Sequence, residues 1–320
     1  MKIKVNKLIS NALNNKIILI TGGTGSIGSE IVRQLTCYRP KQIRVFSRDE
    51  TKHFFLEKDL EKLNSPIDIR FFIGDIRDRD RLYRALKNVN IVFHAAALKH
   101  VPYCEYNPFE AVKTNIYGTQ NLIDAAIDFN IEKVVGISTD KAVYPNTVMG
   151  ITKLMMERMI IGSKPYIGHA KTKFCTVRFG NVLNSRGSVL PLWMSQIKNG
   201  GPVTVTDKNM KRYFMTISEA VNLVLNACTI MQGEEIFVLK TTEKNIYQMA
   251  KELIKKSAKN KKIKIKITGA RDREKLTEKL YTQEEKKLMI DVGKFFVILP
   301  NKLLYQRRLN YYKKIFTLLS

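Results

Sequence analysis

Cysteine is scarce in this chain of 320 residues, and Cys37, Cys104, Cys175 and Cys228 are spaced too widely and irregularly to make a C-x-x-C pair. That excludes a zinc knuckle and a thioredoxin-like redox motif. His53, His94, His100 and His169 form no pair at metal-ligand spacing, so no metal site is expected. Long apolar runs are missing as well. None approaches the roughly 18 residues a membrane helix needs, and no integral membrane segment is expected. The opening MKIKVNKLIS is basic but lacks the apolar stretch and small-residue cleavage site of a secretory leader. These absences lead to the expectation of a cytoplasmic protein. Acidic residues are the other shortage: 29 Asp and Glu stand against 55 Lys and Arg, a net charge of +26. Positions 251–320 hold 20 basic and 7 acidic residues, half of that excess. Such a balance attracts an anionic substrate or a nucleic acid. Lys, Asn and Ile are frequent along the whole chain, so a solvated surface with substrate attraction is the simpler reading, and no nucleic-acid partner is expected.

What is present is an alternation. With 44% apolar residues the chain can build a substantial core. Short apolar runs at 16–21 (KIILIT), 42–46 (QIRVF), 69–73, 90–97 (NIVFHAAA) and 133–138 (KVVGIS) read as strands. Helical patterns fill 26–35 and 51–63, and a long helix is expected from Asn107-Pro108, a cap residue followed by proline at the first helical position. Strands alternating with helices predict an α/β fold, a Rossmann-like doubly wound parallel sheet. Beyond Phe179 the pattern loosens. Loops are expected over 181–202 around a helix near 190–198, then helices at 218–231 and 245–256. Strict alternation over 261–267 (KIKIKI) predicts a half-exposed strand. The basic, aromatic segment 301–320 reads as a closing helix of a smaller C-terminal lobe.

Gly22, Gly25 and Gly28 form G-x-x-G-x-x-G between the first strand and the first helix. Two glycines allow a tight turn and close approach of backbone to a diphosphate, and the third lets the helix pack on the strand. The helix N-terminus then faces the anion. With Thr24, Ser26 and Ile27, these residues are the expected cofactor cradle. The second strand ends in Ser47, Arg48 and Asp49. Asp49 could accept from the ribose hydroxyls of NAD. A hydroxyl and a guanidinium at Ser47 and Arg48 suit a 2′-phosphate, and the expected cofactor is NADP. Asp75 and Ile76 are placed for the adenine edge, and Ala95, Ala96 and Ala97 are small enough to admit the dinucleotide. Residues 1–180 are therefore expected to form an NADP-binding domain. Residues 181–320 are expected to form a substrate lobe, with some elements returning to the first domain.

The fifth strand runs into Ser138-Thr139-Asp140-Lys141, and Met149 and Lys153 follow four apart on one helical face. The glycine turn, the Ser/Thr at the strand end and this helical lysine resemble the extended short-chain dehydrogenase/reductase superfamily, in which tyrosine usually stands where Met149 does. The segments 95–102 (AAALKHVP), 107–118 (NPFEAVKTNIYG), 138–153 (STDKAVYPNTVMGITK) and 178–191 (RFGNVLNSRGSVLP) are similar to the bacterial UDP-N-acetylglucosamine 4,6-dehydratases of surface-polysaccharide synthesis. The resemblance covers about residues 15–290. It implies oxidation at C4 of a UDP-hexosamine, loss of water across C5 and C6, and reduction at C6, with no net redox change. It also implies Asp140 as the acid at C6, Lys141 as the base at C5, Lys153 on the nicotinamide ribose and Asn115 beside the cofactor. The C4 proton would go to Thr139, Asp140 or water, because a thioether is at most a weak acceptor. Near the nucleotide sugar it implies Lys99, Met149, Asn181, Arg186, Arg212, Arg271 and Glu274, and it implies a homo-oligomer. Arg273 departs from the family, which has glycine there. The C5-inverting branch is the closer likeness. A retaining dehydratase, a nucleotide-sugar 4-epimerase and an inactive NADP-binding module with a nucleic-acid-docking surface remain alternatives.

Overall fold

The computed structural model describes residues 6–257 and 263–319. Its strands are β1 (Ile17–Thr21), β2 (Gln42–Ser47), β3 (Asp68–Ile73), β4 (Ile91–His94), β5 (Lys133–Ile137), β6 (Lys173–Arg178), β7 (Asn181–Val182), β8 (Val203–Val205), β9 (Lys211–Met215), β10 (Glu235–Leu239), β11 (Glu243–Asn245), β12 (Ile265–Ile267), β13 (Met289–Asp291) and β14 (Phe295–Ile298). Nine of them form one sheet in the order β13-β14-β10-β6-β5-β4-β1-β2-β3. All its pairs are parallel except β10–β14 and β13–β14. β1, β4 and β5 are near-continuous apolar runs, as strands covered on both faces must be. The chain leaves β1 toward β2 and β3, then returns to place β4 on the other side. That reversal opens a crevice at the C-terminal ends of β1 and β4, the place where such sheets take ligands. The fold is Rossmann-like.

Residues beyond 180 divide between two places. β10, β13, β14 and the helix Ile217–Ile230 belong to the large sheet, and a capping box of Thr216 and Glu219 starts that helix. A second apolar cluster of Trp193, Ile197, Val203, Met210, Phe214 and Ile246 joins β8 and β9 to the helices Val189–Lys198 and Ile246–Ser257.

Several expectations are corrected. The fourth strand stops at His94, because Asn115 takes the following loop: Leu98 N donates to its Oδ1 at 2.8 Å and its Nδ2 donates to Leu98 O at 3.0 Å. The long helix is broken into Pro108–Val112, a π-helical turn Lys113–Tyr117 and Gly118–Asp128. Asn107 does not cap it, since its Nδ2 donates to Tyr103 O of a short preceding helix, Val101–Tyr106. The KIKIKI strand shrinks to Ile265–Ile267, which pairs with β8, while Lys261 and Lys262 lie outside the described residues. The basic C-terminal helix, Lys302–Leu319, does not close the small lobe. It packs on the large sheet through Tyr312, which is fully buried against Phe237.

Candidate active site

A cleft of about 1010 Å³ opens where the ends of β1, β4 and β5 meet the smaller lobe. The turn after β1 forms one end of it. Gly22 sits at φ +64°, and a Cβ there would lie 2.7 Å from Ala96 N. A Cβ on Gly28 would lie 2.4 Å from Gly22 O, so neither position tolerates a side chain. Gly25 caps the helix Ser26–Leu35 without a side-chain acceptor. The first-turn residues line the cleft with no capping group over their amides, which suits an anion. Ala95, Ala97 and Lys153 line the same space. The residues present thus fit a dinucleotide.

Beside the cleft, Thr24 Oγ1 and Ser47 Oγ are 2.7 Å apart. Asp49 is committed elsewhere: it caps the helix Glu50–Glu61 and pairs with Lys52. The Lys52 ammonium and N–H hold its carboxyl below the ordinary range, with a smaller contribution from Arg186. Arg48, half exposed, reaches Asp75 at 3.4 Å. Burial pulls the Asp75 carboxyl up, but the Arg77 guanidinium and N–H, with Arg48, outweigh it and hold the carboxyl down. Ile76 and Asn115 are not among the residues that line the cleft. Ile76 is buried against Gly118, and Asn115 is fully buried with its amide shared between Leu98 and Thr152. Both support the site from behind. Ala96 backs Gly22, and its N–H points to Thr21 Oγ1 at 3.4 Å.

The turn after β5 carries the expected reacting groups. Lys141 and Thr139 line the cleft, while Asp140 lies behind them, fully buried. Asp140 Oδ1 accepts from Thr139 Oγ1 at 2.9 Å and from Lys141 Nζ at 3.0 Å, and its Oδ2 has no partner among the described residues. Lys141 Nζ also faces Asn181 Oδ1 at 3.4 Å. Lys153 donates to Ile137 O at 2.5 Å and contacts Met156 Sδ at 3.1 Å. Burial pushes its amine down to about 8, against the pull of Glu157. Met149 is a buried wall residue packed with Cys104 and Ala111. His94 stands behind this centre, hydrogen-bonded to Thr21 Oγ1 at 2.7 Å and Thr119 Oγ1 at 3.0 Å.

The expected sugar-nucleotide groups are split. Lys99, Asn181, Arg212, Arg271 and Glu274 line the cleft. Arg212 holds the loop before β13 by donating to Leu276 O at 3.0 Å and to Glu274 Oε1 at 3.4 Å. Arg271 N donates to Glu274 Oε2 at 3.1 Å. Arg273 adopts φ +60°, so the loop keeps a glycine-like bend without glycine. Arg186 is not itself among the residues lining the cleft, although Ser185 and Gly187 on either side are; its N–H donates to Ser26 Oγ at 3.0 Å, and its charge is felt at both Lys99 and Asp49. Lys99 Nζ donates to Arg186 O at 2.9 Å and ties this crossing down. Sequence reasoning missed Glu278, a cleft residue that is 5% exposed and 3.8 Å from Lys141. No spacing signal could have found it, because the two lie far apart in the chain, Lys141 on a short 3-10 turn and Glu278 on a loop.

Comparison with known proteins gives a match to the polysaccharide biosynthesis protein family over residues 18–300. The chain is 52% identical to the Methanocaldococcus jannaschii protein named uncharacterized membrane protein MJ1061, over 94% of this chain and 93% of that one. It is 42% identical to a UDP-glucose 4-epimerase of Rickettsia bellii, covering 89% and 83%. It is 39% identical to the inverting UDP-N-acetylglucosamine 4,6-dehydratase of Campylobacter jejuni, covering 90% and 84%. Against CapD of Staphylococcus aureus, 45% identical over 87% of this chain, it spans 47% of the relative's length. The solved structure of Pen from Bacillus thuringiensis superposes with a TM-score of 0.86 at 42% identity, covering 90% and 89% of the two chains.

Proposed function

The chain belongs to the polysaccharide biosynthesis protein family, and on that premise we propose that it is an NADP-dependent 4,6-dehydratase of UDP-N-acetylglucosamine or a related UDP-hexosamine, inverting at C5. The observation that carries the reading is that Lys141, gripped by a buried Asp140, opens on the same cleft as the glycine turn. The glycine turn and the first amides of Ser26–Leu35 would hold the diphosphate. Ser47 and Arg48 would take the 2′-phosphate, since Asp49 is already spent on a helix cap. The nicotinamide, when bound, supplies acceptance of a hydride from C4 and its return at C6.

The chain's own groups handle the protons. Thr139 Oγ1, on the cleft wall, takes the C4 hydroxyl proton and passes its own to Asp140 Oδ1. This makes good the missing tyrosine. Asp140 holds that proton in a buried site and returns it through Thr139 to the C6 hydroxyl, which leaves as water. Asp140 thus acts at C6 through a relay rather than by direct contact. Lys141 as a neutral amine takes H5, then delivers a proton to C5. Lys153 orients the nicotinamide ribose, and Met149 supplies an apolar wall. Arg212 and Glu274 order the loop that would receive the nucleotide. No helix among the described residues is long and apolar enough to cross a membrane, and a cytoplasmic setting goes with this reading.

The test is incubation with UDP-N-acetylglucosamine in deuterated water, followed by NMR. The expected product is a 4-keto-6-deoxy sugar with deuterium at C5 and inverted configuration, and Asp140→Asn is expected to slow its formation 100-fold or more. The relatives named epimerases favour a second reading. Accumulation of the C4 epimer without loss of water would replace the dehydratase by an epimerase.

A further inference from the structure

Glu278 is the buried ionisable group on the cleft that the steps above leave unused. Its carboxylate lies between two amines: Oε1 is 3.8 Å from Lys141 Nζ and Oε2 is 3.8 Å from Lys275 Nζ. Oε2 has no hydrogen-bond partner among the described residues. Lys275 is held on the far side, donating to Val143 O at 2.9 Å and to Tyr144 O at 2.5 Å. A buried carboxylate is tolerated only where opposite charge compensates it. Glu278 has two such charges, and one of them is the amine expected to act as a base.

The surroundings decide what this pairing does. Lys141 faces Asp140 from its own turn, neutral Asn181 at the start of β7, and Glu278 from the loop before β13. Lys275 stands beyond Glu278, and Tyr213 of β9 lies near enough to Asp140 to feel its charge. The nearby Arg178 is occupied by Glu157 and Glu285. If Asp140 were the sole counter-ion of Lys141, an amine that took H5 while Asp140 still held its proton would become a part-buried ammonium with no carboxylate beside it. A second carboxylate removes that conflict. Asp140 can carry a proton while Lys141 keeps a charge partner, and the amine that has taken H5 is stabilised as it forms.

We propose that Glu278 is a positioning residue for Lys141, the standing counter-charge that leaves Asp140 free to gain and lose its proton. The use of Lys141 at C5 rests on the function proposed above; the pairing of the two side chains does not. The decisive measurement therefore needs no substrate. Lysines are labelled by reductive ¹³C-methylation and titrated by NMR, and Lys141→Arg assigns the Lys141 signal. In Glu278→Gln, which keeps the shape and removes the charge, the Lys141 midpoint is expected to fall by about one to two pH units. Glu278→Asp should restore most of it. A midpoint unmoved in Glu278→Gln, with circular dichroism showing an intact fold, overturns the proposal. In parallel, the acid limb of the pH profile for deuterium entry at C5 should move down with the midpoint. Failure of wild-type protein to turn over UDP-hexosamines would count against the dehydratase reading, and the titration would still decide the role of Glu278.

Discussion

His94 shows how a single side chain sets a pH limit on the fold. Thr119 Oγ1 donates to Asn115 O at 2.8 Å, so it accepts from His94 Nε2–H, and Thr21 Oγ1 donates to the bare Nδ1. This assignment goes with a neutral ring, which burial favours. Burial, with the charge of Lys153 adding to it, pushes the imidazole down to about 3 from 6.5. Between those values the unfolded chain binds a proton that the folded chain refuses. Unfolding free energy should fall as pH drops through that window, by about 1.4 kcal/mol per unit for this one site. Urea melts of wild type and His94→Gln at a series of pH values check it: the variant should lose that part of the slope. Arg48 carries a prediction about the cofactor. Under the proposed function, Arg48→Ala should weaken NADP binding about 10- to 100-fold, the worth of a charge-assisted contact, and leave NAD binding nearly unchanged in a fluorescence titration. Single residues are legible from sequence where their meaning is local. The glycine turn is a matter of spacing along one loop. Asn115 and Glu278 are not legible as they stand, because each is defined by a partner on another segment, Leu98 for one and Lys141 for the other.

Among the elements, those whose ends carry their own signals are the legible ones. The helix Ser26–Leu35 follows its glycine turn, and β1, β2 and β5 show the apolar runs of covered strands. The segment from Asn107 reads as one helix because its apolar pattern continues through Lys113–Tyr117, where the backbone widens to a π turn that contains neither proline nor glycine. The C-terminal helix is legible as amphipathic, but which surface it covers is not. Tyr312 settles that. It is fully buried between Phe237 and Tyr311, and its Oη donates to Glu235 Oε1 at 2.8 Å. Arg308 donates to the same oxygen at 2.7 Å. Tyr312→Ala should cost about 3–5 kcal/mol, since it opens a cavity and strips a donor from a buried carboxylate. Equilibrium unfolding in urea reads the loss, and a shift within about 1 kcal/mol would mean that the helix contributes little to the sheet's stability.

At the scale of the whole molecule, the net charge of +26 acts on encounter more than on fold. Under the proposed function the substrate is a diphosphate, and its capture should depend on salt. Between about 0.01 and 0.15 M ionic strength the screening length falls from about 30 to about 8 Å. Over that range kcat/KM, measured well below KM, is expected to drop about tenfold with kcat little changed. A flat response would assign the charge to general solvation. The large sheet also has a timetable. β10 pairs with β6 on one side, but its other neighbour, the antiparallel β14, is made much later in the chain. While the ribosome is still threading the intervening stretch, β10 presents a bare hydrogen-bonding border, the kind that recruits foreign strands. Late-synthesised residues thus shelter as well as stabilise, and nascent chains stalled between β10 and β14 are the ones a holding chaperone would be needed to guard.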